Sequence, residues 1–143
     1  MANPGAASTS TIHPSNLASN QAIRLLAVGV NVSINATGDA SITLPINNSS
    51  SYAVTNVVIT NANKDVSAGY LSIWTGPAGT GTEIVTNAAL TSNTSSAYVT
   101  RSTVVAGTLA TNLSAQTLYV KVGTAVAGGT VNIYVYGTDF STF

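Results

Sequence analysis

The last part of the chain contains two short segments in which apolar and polar residues alternate strictly. They are Leu-Tyr-Val-Lys-Val at residues 118–122 and Val-Asn-Ile-Tyr-Val-Tyr at residues 131–136. Alternation with a period of two predicts half-buried β-strands, because successive side chains of a strand point to opposite faces. The Gly-rich residues 123–129 between them could close a hairpin in one sheet or turn a corner between two stacked sheets. Both alternatives predict β-structure with tyrosines on its outer face.

The rest of the chain repeats this pattern. A long strand is predicted from Ile23 onward. Its apolar face should contain five alternating residues: Leu26, Val28, Val30, Val32 and Ile34. Five more strands are predicted around residues 42–46, 52–60, 70–75, 83–86 and 97–105, with a bulge near Asn56. Leu109 and Leu113, in a segment without clear periodicity, are expected to fill the core. Eight short strands without a convincing helix predict an all-β fold, either a two-sheet antiparallel sandwich or a small barrel.

Residues 1–22 differ from the domain predicted at 23–143. They have no periodicity, and Ile12 and Leu17 are their only large aliphatic side chains apart from the initial Met. Pro4 and Pro14 disfavour a helix. We therefore expect an extended N-terminal arm. It could be an unattached terminus, or it could dock on a neighbouring subunit as an added strand.

Composition argues against several classes of function. Charged residues make up 6% of the chain, against roughly 25% in an ordinary soluble domain, and the four basic residues are scattered singly. Nucleic-acid binding, which needs clustered Lys and Arg, is therefore not expected. There is no cysteine, and the one histidine, His13, lies in the predicted arm. We expect no enzyme, no cofactor and no metal site, because neither a catalytic triad nor a zinc ligand set can be assembled.

No signal peptide and no membrane helix can be recognised in the sequence. We therefore expect a soluble chain that has no membrane partner.

The remaining indication of function comes from aromatic residues on the outer faces of two predicted strands. Tyr134 and Tyr136 should lie on the outer side of the last strand. Tyr70 and Trp74 should lie on the outer side of the fourth strand, if Leu71 and Ile73 point inward. They could be ordinary cross-strand pairs of a sheet. They could also form a protein contact, where Tyr and Trp are enriched and charges depleted, or a platform for a sugar.

Two stretches of the sequence also resemble a known family. Residues 69–90, Gly-Tyr-Leu-Ser-Ile-Trp-Thr-Gly-Pro-Ala-Gly-Thr-Gly-Thr-Glu-Ile-Val-Thr-Asn-Ala-Ala-Leu, and residues 118–137 are similar to stretches of the small cement, or decoration, proteins of tailed-phage heads. The resemblance covers roughly residues 25–140 and lies in the order of strands and turns. It implies an eight-stranded jelly roll, oligomers on the capsid exterior without catalysis, and an N-terminal segment that helps to anchor them. In a jelly roll, residues 123–129 would be the corner rather than the hairpin.

These arguments lead us to expect a structural virion protein. It would be made in the host cytoplasm, bind the outside of a phage head through the major capsid protein and other copies of itself, and clamp neighbouring capsomers. The alternatives are another virion module, from a tail or fibre, and a carbohydrate-binding β-sandwich. The candidate interface residues are Ile12, Leu17, Ile23, Arg24, Tyr70, Trp74, Tyr134 and Tyr136.

Overall fold

The structure, a computed structural model, describes residues 23–141, without the side chains of residues 39–41. Its eight strands are β1 (Ile23–Ser33), β2 (Gly38–Pro45), β3 (Tyr52–Thr60), β4 (Tyr70–Gly76), β5 (Thr80–Ala89), β6 (Val99–Ser102), β7 (Thr117–Thr124) and β8 (Thr130–Asp139). The helical elements of this part of the chain are a 3₁₀ turn at Pro77–Gly79 and a single turn, α1 (Ala106–Leu109). The predicted all-β fold with eight strands is confirmed. The predicted arm, with Ile12 and Leu17, lies outside the described residues.

The strands form two antiparallel four-stranded sheets. Sheet I has the strand order β1-β8-β3-β6, and sheet II has the order β2-β7-β4-β5. Only β4 and β5 are consecutive neighbours within one sheet, so every other connection crosses from one sheet to the other. This strand order is that of a jelly roll, in which two Greek keys make a double-layered sandwich.

The link between β7 and β8 turns a corner, because these two strands belong to different sheets. Gly128 supplies the positive φ of +68° that the turn requires. The Gly129 N–H donates to the Val126 carbonyl, and the Val126 N–H donates to the Ile34 carbonyl, both at 2.9 Å. The corner is therefore tied to the end of β1. Of the two alternatives predicted for this link, the corner is correct and the hairpin is not.

The inner faces of the two sheets form the core. The predicted apolar faces of the last two strands are buried in full: Leu118, Val120, Val122, Val131, Ile133 and Val135 are at most 2% exposed. Leu71 and Ile73 of β4 are fully buried beside them. Burying each such side chain contributes about 1.5–3 kcal/mol, which makes this layer the main source of stability.

The predicted bulge in β3 is confirmed. The register of β3 against β8 shifts between Val54 and Asn56. Tyr52 and Val54 face the core before the shift, and Val57 and Ile59 face it afterwards. One extra residue reverses which set of alternating side chains points inward, and the sequence shows this as a change of phase.

The prediction for β1 is wrong at two residues, because its pairing with β8 contains two bulges. The register shifts between Leu25 and Ala27 and again between Gly29 and Val32. As a result Ala27 is buried, whereas Val28 and Val30, which we expected in the core, are 40% and 62% exposed.

Three further predictions need correction. Strand β5 extends to Ala89 instead of ending near residue 86, and β6 covers Val99–Ser102 instead of residues 97–105. Leu109 is 48% exposed at the end of α1, so it does not fill the core as predicted, although Leu113 does. In α1 the buried side chain is Thr108, whose hydroxyl donates to the Glu83 carbonyl and ties the turn to β5.

Candidate functional site

The outer face of sheet I is a nearly continuous apolar and aromatic surface. The register aligns one residue from each strand across it, in the row Val28, Tyr134, Val58 and Arg101. A parallel row contains Leu25, Tyr136 and Asn56. The aligned side chains point away from the core, because they alternate with the buried residues of the same strands. The sheet thus presents a broad surface rather than isolated apolar residues.

Several aliphatic side chains on this face are exposed to an unusual degree. Ile23 is 65% exposed at the start of β1, and Val99 is 43% exposed on β6. A shallow depression of about 570 Å³ extends across the face, lined by Ile23, Thr55, Asn56, Val58, Val99, Arg101 and Tyr136. A contiguous apolar patch of this kind is typical of a contact surface between macromolecules.

Two polar side chains on the outer face of sheet I are engaged in hydrogen bonds within the protein. The Asn132 side chain accepts a hydrogen bond from the Asn31 N–H at 2.9 Å, and the Thr55 hydroxyl donates to the Tyr136 carbonyl at 3.2 Å. Arg101 is the charged side chain of the two rows. A partner that covers this face would leave these two hydrogen bonds in place, and Arg101 is the charged group that would lose water.

The outer face of sheet II carries a second group of aromatic residues, Tyr70, Trp74 and Tyr119. Trp74 lies opposite Tyr119 in the register of β4 and β7, and its indole N–H donates to the Ser72 hydroxyl at 3.0 Å. The Tyr70 ring lies over Gly123, where any Cβ would collide with it, and Tyr70 is 37% exposed. The candidates Tyr70 and Trp74 therefore lie on the opposite side of the sandwich from Tyr134 and Tyr136.

The candidate Arg24 lies at one end of the sandwich, in a polar network. Its guanidinium donates to the Asp139 carboxylate at 2.6 Å and to the Asn47 carbonyl at 2.9 Å. The Ser49 hydroxyl and the Ser141 N–H donate to the other oxygen of Asp139, at 2.6 and 2.9 Å. The network joins the beginning of β1, the loop after β2 and the end of β8. Arg24 therefore has a structural role, whereas its neighbour Ile23 lies on the outer face of sheet I.

The pKa of Asp139 reflects this network. Burial is the largest influence and by itself would raise the pKa of the carboxyl. The hydrogen bonds from Ser49 and Ser141 and the charge of Arg24 together outweigh burial, so the pKa falls below its ordinary value of 3.8. Asp139 is therefore held as a carboxylate that stabilises the fold.

Among the described residues, no group of three or more His, Cys, Asp or Glu side chains is placed to hold a metal ion. No helix within residues 23–141 is long and apolar enough to cross a membrane.

Sequence reasoning missed several residues of the outer face of sheet I. Val28 was assigned to the core, and Val58, Val99 and Arg101 were not singled out. The available signal was Gly29, since an isolated glycine within a strand pattern often marks a bulge. Strand β6 gave no comparable signal, because its inward residues, Thr100 and Ser102, are more polar than the outward Val99.

Comparisons of the chain with protein-family models, with curated proteins and with solved structures found no match. The geometry of the two outer faces is therefore the basis for assigning a function.

Proposed function

We propose that the protein is a structural component of a virus particle, a cement protein that binds the outside of a phage head and clamps neighbouring capsomers. The observation that carries the proposal is the outer face of sheet I, where exposed aliphatic side chains of β1 and β6 flank half-buried apolar and aromatic side chains of β3 and β8. The jelly-roll strand order agrees with what the sequence resemblance implies. No step of this function requires a catalytic group or a cofactor.

The mechanism is adhesion by burial of apolar surface. A partner that covers Ile23, Val28 and Val99 would remove from water three side chains that are 40–65% exposed. Fully burying one aliphatic side chain contributes about 1.5–3 kcal/mol, so these three would contribute a few kcal/mol in total before the costs of association. A protein that bridges two capsomers would oppose their separation by this amount at each contact.

The size of the outer face of sheet I limits how much surface it can bury by itself. The strands of sheet I contain 11, 10, 9 and 4 residues, so at roughly 3.3 Å per residue and about 4.8 Å between strands they cover on the order of 540 Å². A stable interface buries about 800 Å² on each partner. The proposal therefore requires additional contacts. Other copies of the chain or residues 1–22, which join the domain at Ile23, could supply them.

The direct test is sedimentation with purified heads of the virus that encodes the chain. The purified protein should sediment with heads and saturate at a fixed copy number, and electron microscopy should place it on the outer surface. Binding to tails or fibres alone would instead support the alternative of another virion module. No binding to any part of the particle would contradict a virion role.

A second candidate function, carbohydrate binding, is favoured by the pairing of Trp74 and Tyr119 on sheet II. Aromatic rings next to polar side chains can stack on a sugar, and Lys121 and Ser72 lie side by side in the same two strands. Glycan binding that W74A abolishes would support this candidate. Under the cement proposal, W74A should instead sediment with heads like the unmodified protein.

A further inference from the structure

Arg101 is placed where a contact on the outer face of sheet I would cover it. It lies on the edge strand β6, as Val99 does, and is paired with Val58 of β3. It lines the depression together with Tyr136. It is exposed, and it also borders a cleft of about 230 Å³ between the edges of β5 and β6. Arginine is enriched at protein interfaces because its planar group pairs with carboxylates in two parallel hydrogen bonds.

This arginine lacks an acidic neighbour among the described side chains. The ion pair found there joins Arg24 and Asp139, at the end of the sandwich. Glu83, on β5, and Asp65, which accepts a hydrogen bond from Ser67 in a loop, form no ion pair with a described basic side chain. Covering Arg101 without a countercharge would leave an unpaired charge at an apolar contact, which is unfavourable.

The same charge distribution argues against a symmetric contact in which a second copy of the chain covers this face. In a two-fold contact the same surface meets itself. The described outer face of sheet I offers Arg101 but no carboxylate to pair with it, so two such faces would bring together positive charges without a negative one. A symmetric contact is therefore unfavourable, whereas a different protein can supply the missing carboxylate.

We propose that the outer face of sheet I binds a capsid-protein surface that presents a carboxylate among apolar side chains, with Arg101 as the residue that selects it. This inference rests on the proposed function. Arg101 pairs with the carboxylate, while Val28, Val58 and Val99 cover the surrounding apolar area. The apolar contacts would provide most of the affinity, and the pair would fix the position on the capsid.

The first experiment measures binding of four variants to purified heads by sedimentation. R101Q should bind about tenfold more weakly and R101E about a hundredfold more weakly, because neutralisation removes the pair and reversal adds repulsion. K121Q and K121E make the same charge changes on sheet II and should bind like the unmodified protein. All four should melt like the unmodified chain, because both positions lie on outer faces.

The second experiment detects the carboxylate directly. R101K places a primary amine at this position, and a carbodiimide joins such an amine to a carboxylate in contact with it. Mass spectrometry should identify a crosslink from position 101 to an Asp or Glu of the head protein. The purified protein without heads, treated in the same way, should give no crosslink from this position.

The outcomes separate this inference from the proposed function. If the unmodified protein does not bind heads, both are contradicted. If it binds and R101E binds equally well, the role of Arg101 is wrong and the cement function stands. A crosslink from position 101 to another copy of the chain would also overturn the inference, because the occupant would then be the protein itself.

Discussion

At the scale of single residues, the side chains that reach the surface are determined by where a bulge adds one residue to a strand. The alternation in β1 correctly predicted a strand, and it correctly predicted that Leu26, Val32 and Ile34 are buried. It could not predict that two bulges expose Val28 and Val30. Valine is tolerated on either face of a sheet, and the two bulges do not change the alternation of apolar and polar residues in the sequence. In β3 the bulge was predictable, since the apolar residues themselves change phase near Asn56.

A matched pair of aspartate substitutions tests this assignment of faces. V28D should fold and melt close to the unmodified protein, because surface changes usually alter stability by less than about 1 kcal/mol. I133D should not fold, because Ile133 is fully buried in the central strand β8 and an unpaired carboxylate there costs several kcal/mol. Thermal melting followed by circular dichroism distinguishes the two. A cooperatively melting I133D or an unfolded V28D would show that the faces are reversed.

The Asp139 network predicts how stability changes with pH. Because folding lowers the pKa of Asp139, its contribution to stability is present above the unfolded value of 3.8 and is lost as the pH falls through the lower folded value. The unmodified protein should therefore lose stability below about pH 4, where the carboxyl becomes protonated.

D139N should be less stable at pH 7 by about 1–3 kcal/mol, since it removes charge-assisted hydrogen bonds at a buried site. It should also lose less stability between pH 5 and pH 3 than the unmodified protein. Chemical denaturation at several pH values measures both effects. Parallel pH profiles of the two proteins would contradict a stabilising role for the ionised carboxyl.

At the scale of elements, the sequence predicted the strands well and their ends less well. Strong alternation identified the ends of β7 and β8 to within three residues. Strand β6 is shorter than predicted because Ala97 and Tyr98 belong to a turn that buried Asn93 holds. Its side-chain amide donates to the Ile59 and Tyr98 carbonyls at 3.2 and 3.3 Å. No local pattern marks the bond to Ile59, since Asn93 and Ile59 lie far apart in the sequence.

Residues 1–22 are predicted to contribute to attachment rather than to the stability of the domain. The core of the two sheets is formed within residues 23–141. Deleting residues 2–20 should therefore leave the melting temperature nearly unchanged. The deletion should weaken binding to heads tenfold or more, equivalent to at least about 1.4 kcal/mol, if Ile12 and Leu17 are buried on the capsid. Sedimentation measures the binding. A truncated protein that binds heads as tightly as the full chain would show that these residues have no part in attachment.

At the scale of the whole molecule, the jelly roll separates two surfaces of different character. Sheet I presents aliphatic residues around Tyr134 and Tyr136, and sheet II presents Tyr70, Trp74 and Tyr119. The sequence predicted both aromatic sets but could not show that they lie on opposite sides, because the assignment of strands to sheets depends on long-range pairing. We propose adhesion through sheet I, which would leave sheet II directed outward.

The measurement that tests this account most directly is the binding of V28D and T43D to purified heads at about 0.1 M and about 1 M NaCl. Both substitutions add one carboxylate at an exposed position, Val28 on sheet I and Thr43 on sheet II. The account predicts that V28D loses at least tenfold in affinity and that T43D binds like the unmodified protein. Binding of the unmodified protein should change by less than tenfold between the two salt concentrations, because apolar burial persists where the Debye length is only about 3 Å. Equal binding by both variants, or release of the unmodified protein at high salt, would contradict adhesion through the outer face of sheet I.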